Sequence, residues 1–371
     1  MRVALDYRPA LVNREGIGRY ARELVRALVE LGHGPELGLF GWTLASARAS
    51  RAELGLAGGG ARYSRLRFPS RWFPRFAALT GRGAEDFCGG AQVWHHTQPS
   101  LLPVRTAREV ATIFDCIYAR DNGFLSSEAA ASMTASARRL IERSRLVLVP
   151  SAFVKGELVR TFGIEEARVV VTLLGCDHAL REEAHTRAHD AGETILTVSR
   201  VDRRKNHVRM LRAFEILVRE RRDARWIVAG PAGHGAEDFQ AALAASPARA
   251  SVEWLRFVPE EELGALHARA SVFWFTSLDE GFGLPPLEAM ARGLATISST
   301  RASLPEVLGQ GALLLDPEDV ETLARETRRL FSEREFAEVL VRRGRARAAE
   351  LSWRACASAT WDAYTRAHEG R

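Results

Sequence analysis

Asp279-Glu280-Gly281-Phe282-Gly283-Leu284-Pro285-Pro286-Leu287-Glu288 is the most informative segment of this 371-residue chain. It follows an apolar run, residues 272–275, that predicts a buried parallel strand, and it leads into small and apolar residues up to Ala291 that predict a helix. The two glycines allow the backbone to approach a ligand, and the prolines mark the helix start. Because a helix N-terminus attracts phosphate, the segment predicts a phosphate site with one glutamate on each side.

The composition is that of a globular protein with two domains of ordinary size, at 46% hydrophobic and 26% charged residues. No apolar run approaches the length of a membrane span, and Asp6 comes too early for a signal peptide. The cysteines are isolated and show no metal-ligand spacing, which favours a reducing cytoplasm. They are Cys88, Cys116, Cys176 and Cys356.

The net charge of +6 is modest for this length, and the only lysines are Lys155 and Lys205. A basic excess favours phosphorylated ligands or an anionic membrane surface. We find no nucleic-acid-binding motif and no basic helix with interleaved aromatics, so nucleic acid is not an expected partner. A lysine is informative here, because arginine occupies almost every other basic position.

The first residues predict the start of a doubly wound unit. Residues 3–5 predict a strand, the following loop extends from residue 6 to the Gly16-Ile17-Gly18 segment, and residues 19–31 have helical periodicity. The two glycines lack the third glycine of the dinucleotide fingerprint. A plain turn before a helix is therefore as good an interpretation as a ligand-binding loop.

Residues 41–90 are less regular, and arginines and aromatic residues alternate between residues 62 and 82. This surface could touch anionic lipid or recruit a lipid-linked acceptor. The favoured alternative is a solvated loop whose aromatics pack inward. The arginines are Arg62, Arg65, Arg67, Arg71, Arg75 and Arg82, and the aromatics are Tyr63, Phe68, Trp72, Phe73 and Phe76.

Two predicted strands of the N-terminal half end in polar residues. Residues 92–94 lead to His95 and His96, and residues 110–113 lead to Asp115. Ligands collect at the carboxyl ends of parallel strands, so these three side chains are candidate ligand contacts. A structural role for the histidines is equally well supported.

Strands and helices alternate clearly after residues 181–192, a polar stretch that predicts the interdomain linker. The alternation predicts a parallel sheet covered on both faces. Arg200 and Lys205 lie on the loop after its first strand, 194–198. Cations held there would stabilise the charge of a departing diphosphate, and we favour this role over that of an exposed basic loop.

With both loops considered, the chain resembles glycosyltransferases of family 4, in particular bacterial mannosyltransferase-like members. The most specific likeness is the two-glutamate motif at 280–289. Further matches to the family's segments lie at 16–20, 149–151, 196–200 with 205–206, 304–307 and 352–354.

This resemblance implies an α/β protein of the GT-B fold, with two Rossmann-like doubly wound parallel-sheet domains facing a central cleft. The expected domains are an acceptor-side domain at 1–185, a nucleotide-sugar domain at 193–350 and a helix at 351–371 that returns to the first domain. It also implies a retaining hexosyltransferase that needs no metal and no cofactor. The donor substrate would be a nucleotide-diphosphate sugar, GDP-mannose or a UDP-hexose.

The resemblance also implies roles for individual residues. Arg200 and Lys205 would hold the diphosphate, Glu288 the ribose hydroxyls and Glu280 the donor sugar, with Asp115 completing the catalytic group. The other donor-binding residues would be Gly16, Gly18, Arg256, Phe257, Val258, Gly281, Phe282, Gly283 and Leu284, and the acceptor side would consist of His95, His96 and Asp115. Family members often carry a histidine where this chain has Phe114, which affects the acceptor side.

The expected function is transfer of a hexose to a hydroxyl of a glycan, lipid-linked or small-molecule acceptor in cell-surface polysaccharide or glycoconjugate synthesis. The expected location is the cytoplasm, with peripheral contact to the inner membrane face through residues 62–82. Two alternatives remain open from the sequence: a sugar-nucleotide epimerase or hydrolase on the same fold, and a non-catalytic partner that binds a nucleotide sugar.

Overall fold

The computed structural model describes residues 1–44, 50, 54–56, 59–69, 72–120, 123–181 and 192–370. The chain forms two compact units. The first comprises Met1–Asp121, Ser126–Gly175 and Ser352–Arg371, and the second comprises Asn122–Leu125 and Cys176–Leu351. Among the described residues, no helix combines the length and the apolar character that crossing a membrane requires.

The first unit is built on a seven-stranded, fully parallel sheet with the order β3-β2-β1-β4-β5-β6-β7. Its elements up to residue 171 are β1 (Val3–Asp6), α1 (Arg8–Val12), α2 (Gly16–Glu30), β2 (Leu37–Trp42), β3 (Arg62–Leu66), α3 (Phe73–Leu79), β4 (Val93–His96), β5 (Arg108–Thr112), α4 (Ser127–Arg143), β6 (Leu146–Val149), α5 (Ala152–Phe162) and β7 (Val169–Val171).

The strands β1, β4 and β6 of this sheet are short and buried at every position, as expected for a parallel sheet covered on both faces. The helix boundaries follow local capping chemistry. Ser151 Oγ accepts a hydrogen bond from Val154 N at the start of α5, and Gly163, with φ 65°, ends the helix in the left-handed conformation. These two residues therefore account for the bounds of α5.

The second unit is built on a six-stranded parallel sheet with the order β10-β9-β8-β11-β12-β13. Its elements are β8 (Thr194–Val198), α6 (His207–Glu220), β9 (Arg225–Ala229), α7 (Ala236–Ala245), β10 (Val252–Arg256), α8 (Glu260–Arg269), β11 (Val272–Phe275), α9 (Leu284–Ala291), β12 (Ala295–Ser299), α10 (Leu304–Leu308), β13 (Leu313–Leu315), α11 (Val320–Ser332) and α12 (Arg334–Ala349). The two doubly wound parallel sheets confirm the predicted fold class.

The last helix, α13 (Trp353–Glu369), belongs to the first unit and packs against α2. Trp353 and Tyr364 are fully buried in that packing. Gly175 is required by the same arrangement, because a Cβ at this position would lie 2.1 Å from the backbone nitrogen of Trp353. The end of the first unit and the start of α13 therefore meet at a position where only glycine fits.

Residues 176–181 belong to the second unit, so the first unit ends at Gly175 rather than at residue 185. The physical reason is local packing: Cys176 N donates to Leu351 O at 3.1 Å, and the 3-10 helix Asp177–Leu180 packs against α9. Most of the predicted linker, residues 182–191, lies outside the described residues.

Two predictions for the N-terminal half are corrected by the structure. The predicted loop before Gly16 contains helix α1, and Gly16 and Gly18 lie in the first turn of α2. The irregular region at 62–82 contains strand β3 and helix α3. The aromatic residues of this region differ in solvent exposure. Phe73 is buried against Phe40 and Trp42, whereas Trp72 is 47% exposed. Arg71 lies outside the described residues.

Candidate active site

The strand order of the second sheet reverses between β8 and β11, which are hydrogen-bonded neighbours. Strands β9 and β10 follow on one side of this pair, and β12 and β13 follow on the other. The loops after β8 and β11 therefore diverge at the carboxyl edge of the sheet, where open parallel sheets bind their ligands. These loops carry residues 199–206 and 276–283.

Three charged side chains from these two loops form a cluster. Lys205 Nζ donates a hydrogen bond to Glu280 Oε1, and Arg204 Nη1 lies 2.9 Å from Glu280 Oε2. The exposed fractions of the Lys205, Glu280 and Arg204 side chains are 11%, 9% and 20%. Two cations thus face one carboxylate, which leaves a positive balance in a largely desolvated position.

Backbone contacts hold the two loops together beside this cluster. Arg204 Nη1 donates to Asp279 O at 2.7 Å, and Leu278 N donates to Arg204 O at 2.8 Å. Asn206, in the left-handed conformation with φ 67°, donates through Nδ2 to Thr276 O and Pro317 O. Asparagine adopts the left-handed conformation more readily than most residues. The backbone at Asn206 and its two hydrogen bonds therefore hold the neighbouring Arg204 and Lys205 in position.

The electrostatics of the cluster favour an ionised Glu280. Burial alone would raise the pKa of Glu280, but the charges of Arg204 and Lys205 outweigh burial and lower this pKa to about 2. Burial lowers the pKa of Lys205, and Arg204 lowers it further, against the opposing effect of Glu280. An incoming anion would therefore meet cations that have already lost most of their hydration.

The turn between Glu280 and α9 is rigid. Gly283 has φ 100°, and a Cβ on it would lie 2.6 Å from Leu304 Cδ2. Ser303 Oγ donates to Glu280 O at 2.8 Å. Gly281, Phe282, Gly283 and Leu284 are all buried. Because the next two residues are prolines, the N–H groups at this helix start are those of Gly283 and Leu284.

Glu288 lies one turn into α9, four residues after Leu284. Its side chain is buried, and its Oε1 lies 3.0 Å from Nε2 of His178. The two glutamates of the motif therefore have different partners: Glu280 has two cations from the β8 loop, and Glu288 has a histidine from the 3-10 helix Asp177–Leu180.

The other predicted donor-binding residues of the second unit lie in the loop after β8 and at the end of β10. Arg200 is exposed on the loop after β8, and its aliphatic stem packs against Gly233. Arg256 was predicted in a loop but ends strand β10, with φ 59° and its guanidinium carbon 3.4 Å from the Trp254 ring centroid. Phe257 follows with 53% of its surface exposed, and Val258 is partly buried.

Gly16 and Gly18 occupy different environments at the start of α2. A Cβ on Gly18 would lie 1.7 Å from Asn13 O. Close packing of the start of α2 on the preceding segment therefore requires glycine at position 18. A Cβ on Gly16 would meet nothing within 4 Å. Only Gly16 thus leaves room for a larger group, and contact of either glycine with a donor stays a prediction.

His95 and His96 lie within β4 rather than after it, and both are buried. His95 Nδ1 lies 2.7 Å from Tyr364 Oη and Nε2 lies 2.8 Å from Thr112 Oγ1, and His96 Nε2 lies 2.8 Å from Glu109 Oε2. Burial lowers the pKa of His95 to about 3, so its ring is neutral. These contacts supply the structural role, and the acceptor role stays a prediction.

Asp115 is partly buried in the loop after β5, and its Oδ1 accepts a hydrogen bond from Ile117 N at 3.3 Å. The preceding Phe114 packs edge-to-face on Tyr20, with ring centroids 5.0 Å apart. An aromatic contact thus occupies the position where family members often carry a histidine. Asp115 is the predicted acceptor-side residue that is not deeply buried.

Family models match both halves of the chain. The model for glycosyltransferase family 4 matches residues 14–180, and the model for glycosyl transferases group 1 matches residues 181–347. The chain therefore carries a glycosyltransferase family 4 domain followed by a glycosyl transferases group 1 domain. It is therefore an enzyme, and the family resemblance predicted from the sequence is confirmed.

Individual relatives agree with this membership. The glycosyltransferase is 28% identical to O-antigen chain mannosyltransferase B of Escherichia coli, over 98% of this chain and 99% of that protein. Its fold matches sucrose-phosphate synthase from Thermosynechococcus elongatus (TM-score 0.76, 18% identity, 100% of both chains). It also matches Anabaena HepE in complex with UDP and glucose (TM-score 0.73, 13% identity, 97% of this chain and 98% of that chain). These structures confirm the GT-B fold.

Sequence reasoning about the glycosyltransferase missed two residues of the site. Arg204 was treated as part of a basic run, and its contact with Glu280 spans 76 positions in the sequence (204 to 280). His178 was not singled out, and its partner Glu288 is 110 positions away. Neither residue belongs to a local pattern: the contact of Arg204 depends on the adjacency of β8 and β11, and that of His178 on the packing of its 3-10 helix against α9.

Proposed function

We propose that the enzyme is a retaining, metal-independent mannosyltransferase. It would move mannose from GDP-mannose to a hydroxyl of a glycan or lipid-linked acceptor in cell-surface polysaccharide synthesis. The cluster of Lys205, Arg204 and Glu280 at the carboxyl edge of the second sheet carries the donor assignment. The sugar is suggested by the Escherichia coli relative, which is named an O-antigen chain mannosyltransferase and matches along nearly its whole length.

In this proposal the diphosphate binds at the start of α9, where Lys205 and Arg200 contact its oxygens. The free N–H groups of Gly283 and Leu284 and the helix dipole add to this attraction. Glu280 accepts hydrogen bonds from the mannose hydroxyls. These cations supply positive charge at the leaving group, so the proposal needs no metal ion.

The rest of the nucleotide lies toward β10 and α9. Glu288 accepts hydrogen bonds from the ribose diol, for which one carboxylate offers two oxygens. The base lies against Arg256, Phe257 and Val258. The exposed face of Phe257 gives the base an aromatic surface on which to stack.

The proposed chemistry transfers one sugar and one proton. The acceptor oxygen attacks the anomeric carbon on the face that the diphosphate leaves, and the bond from this carbon to the phosphate oxygen breaks. The electron pair of that bond goes to the diphosphate, and a phosphate oxygen takes the proton of the acceptor hydroxyl. The cations around the diphosphate stabilise the charge that develops as the bond breaks.

The acceptor is assigned to the first unit, with Asp115 as the side chain that contacts it. Asp115 is a carboxylate at the end of β5, where ligands of parallel sheets collect. Replacement by asparagine is expected to lower transfer while nucleotide affinity stays unchanged. Equal transfer rates for Asp115→Asn and wild type at saturating acceptor would remove Asp115 from the proposal.

Peripheral contact with an anionic membrane is assigned to the surface at 62–82. Leu79 is 87% exposed, and Arg75 lies 5.4 Å from the centroid of the exposed Trp72 ring. Such a pair of apolar groups beside arginines suits a headgroup interface. Co-sedimentation with vesicles that contain phosphatidylglycerol is expected, and Trp72→Ala should weaken it severalfold. Equal binding to neutral phosphatidylcholine vesicles would contradict an electrostatic contact.

Thermal-shift measurements with GDP, UDP and ADP test the donor assignment. A ligand at about 100 times its dissociation constant adds roughly 2.7 kcal/mol of stability, so one nucleotide should raise Tm most. We expect GDP to do so and the consumption of GDP-mannose to require an acceptor. A rise in Tm with UDP alone would contradict GDP-mannose as the donor, and donor consumption without acceptor would indicate a hydrolase.

The anomeric configuration of the first product, determined by NMR, tests whether the enzyme retains the configuration of the donor.

A further inference from the structure

His178 and Glu288 form a buried pair inside the second unit. His178 lies in the 3-10 helix Asp177–Leu180 and Glu288 lies in α9, and Nε2 of the histidine is 3.0 Å from Oε1 of the glutamate. The exposed fractions of the two side chains are 5% and 9%. His178 lies outside the two-glutamate motif, residues 280–289, to which Glu288 belongs.

A carboxylate in this position needs a hydrogen-bond donor. Its sequence neighbours in α9, Leu287 and Ala289, are fully buried and apolar. Removing a carboxylate from water without a partner is costly, and a hydrogen bond to a charged group is among the stronger ones in proteins. The bond from His178 engages Oε1, so it fixes the plane of the carboxyl group and the direction in which Oε2 points.

The backbone of His178 is held independently of this bond. Cys176, two residues before His178, donates through its N–H to Leu351 O at 3.1 Å, and its thiol lies 3.3 Å from Ala348 O. Arg181 at the end of the segment pairs with Asp177. Removal of the imidazole alone would therefore remove this hydrogen bond to Glu288 without displacing the segment that carries position 178.

We propose that His178 is a positioning residue that orients Glu288 toward the ribose of the donor. The inference rests on the proposed function, in which Glu288 accepts from the ribose diol. A carboxylate already held in its binding rotamer loses less conformational freedom when the ligand arrives. His178 thus acts on nucleotide affinity through Glu288 and makes no contact with the reacting atoms.

Nucleotides without the ribose hydroxyls separate this role from a structural one. We would measure dissociation constants by calorimetry for GDP and UDP and for their 2′,3′-dideoxy analogues. The variants are His178→Leu, which removes the donor, and His178→Gln, whose amide nitrogen can replace Nε2. His267→Gln is the matched control, because His267 is a buried histidine of the same unit that bonds to Leu263 O.

Wild type is expected to prefer the ribonucleotide, and His178→Leu should reduce that preference by about tenfold to a hundredfold, the range for a hydrogen bond to a charged group. His178→Gln should restore most of it, and His267→Gln should leave it unchanged. A His178→Leu variant that keeps the full preference, or that weakens both analogues equally, would overturn the inference.

Two further outcomes are distinguishable from these. If wild type binds the ribonucleotide and its dideoxy analogue equally, the proposed role of Glu288 itself is wrong, and the inference is overturned with it. If His178→Leu does not fold, His178→Asn takes its place, since its shorter amide cannot reach Glu288. Loss of preference in His178→Asn with retention in His178→Gln supports the positioning role, and equal preference in both contradicts it.

Discussion

Asp6 and Glu280 are buried carboxylates that lie beside the points where the strand orders of the first and second sheets reverse, and they have opposite surroundings. In the first sheet Asp6 ends β1 and accepts hydrogen bonds from Gln98 Nε2 and Ser100 Oγ, which follow the neighbouring β4. In the second sheet Glu280 follows β11 and faces Lys205 and Arg204 from the loop after β8.

The difference appears in the ionisation of the two acids. Burial raises the pKa of Asp6 above its usual value, because its partners are neutral donors that compensate only in part. The cations beside Glu280 reverse the effect of burial and lower the pKa of Glu280 to about 2. The carboxyl group of Asp6 would not attract an additional anion, whereas Lys205 and Arg204 beside Glu280 would. Equal topology thus creates two comparable edges, and the charged side chains favour the second edge as the phosphate site that we propose.

The largest expected effect comes from Lys205→Ala. Removal of a cation aimed at the leaving group should lower the rate of sugar transfer by about a hundredfold to a thousandfold. Arg203→Ala is the matched control, because Arg203 lies in the same 3-10 helix but pairs with Asp238 at the surface. Steady-state kinetics of both variants check this, and a similar loss in both would indicate general damage to the loop.

Glu280→Gln is expected to destabilise the folded enzyme by roughly 3 kcal/mol at neutral pH, since it leaves two buried cations without their carboxylate. The folded pKa of Glu280 lies below the ordinary 4.5, so wild type gains this stability above pH 4.5 and loses it as pH falls toward 2. Urea titrations at pH 7 and pH 3 should therefore give a difference that shrinks in acid. A difference independent of pH would contradict the charge pairing.

His95→Ala tests whether the polar residues of the first unit are structural. It would leave Thr112 and Tyr364 without their shared partner, at a cost of about 1–3 kcal/mol. The expected result is a lower Tm with an unchanged dissociation constant for the nucleotide. A weaker nucleotide affinity at unchanged Tm would instead return His95 to the ligand-binding residues.

Asp6→Asn has the smallest expected effect, within about 1 kcal/mol at neutral pH, because the amide preserves the size of the side chain and can still accept a hydrogen bond. The raised pKa of Asp6 means that the folded state binds its proton more readily than the unfolded state does. Wild type should therefore gain stability relative to Asp6→Asn as pH falls, opposite in sign to Glu280. Parallel titration curves for the two acids would remove the contrast between the two sheets.

The sequence predicted the parts of the fold that depend on local patterns. The run Val272–Phe275 is apolar at every position, and β11 has these bounds. The edge of the first sheet was missed, because β3 has no fully buried residue and its sequence, with two arginines in five residues, lacks a clear apolar alternation. The start of α2 was also missed, since Gly16 and Gly18 are poor helix formers whose conformation is set by tertiary packing.

The same distinction holds for the candidate site. Lys205 and Glu280 were each predicted from a loop after a strand, but their mutual contact depends on the adjacency of β8 and β11, which no local pattern contains. Arg204 was missed for that reason, and His178 was missed because it reaches Glu288 through packing of the 3-10 helix Asp177–Leu180 against α9. The burial of His95 and His96 was likewise invisible, because it depends on partners distant in the sequence, Tyr364 of the last helix for His95 and Glu109 of β5 for His96.

A crystal structure of the enzyme with the nucleoside diphosphate that raises its Tm most would test the central claim directly. We expect the diphosphate to lie within hydrogen-bonding distance of Lys205 and Arg200 at the start of α9, and the ribose hydroxyls to donate to Glu288. A nucleotide bound at the β1–β4 edge of the first sheet, or bound to the second unit without contact to Lys205, would contradict it.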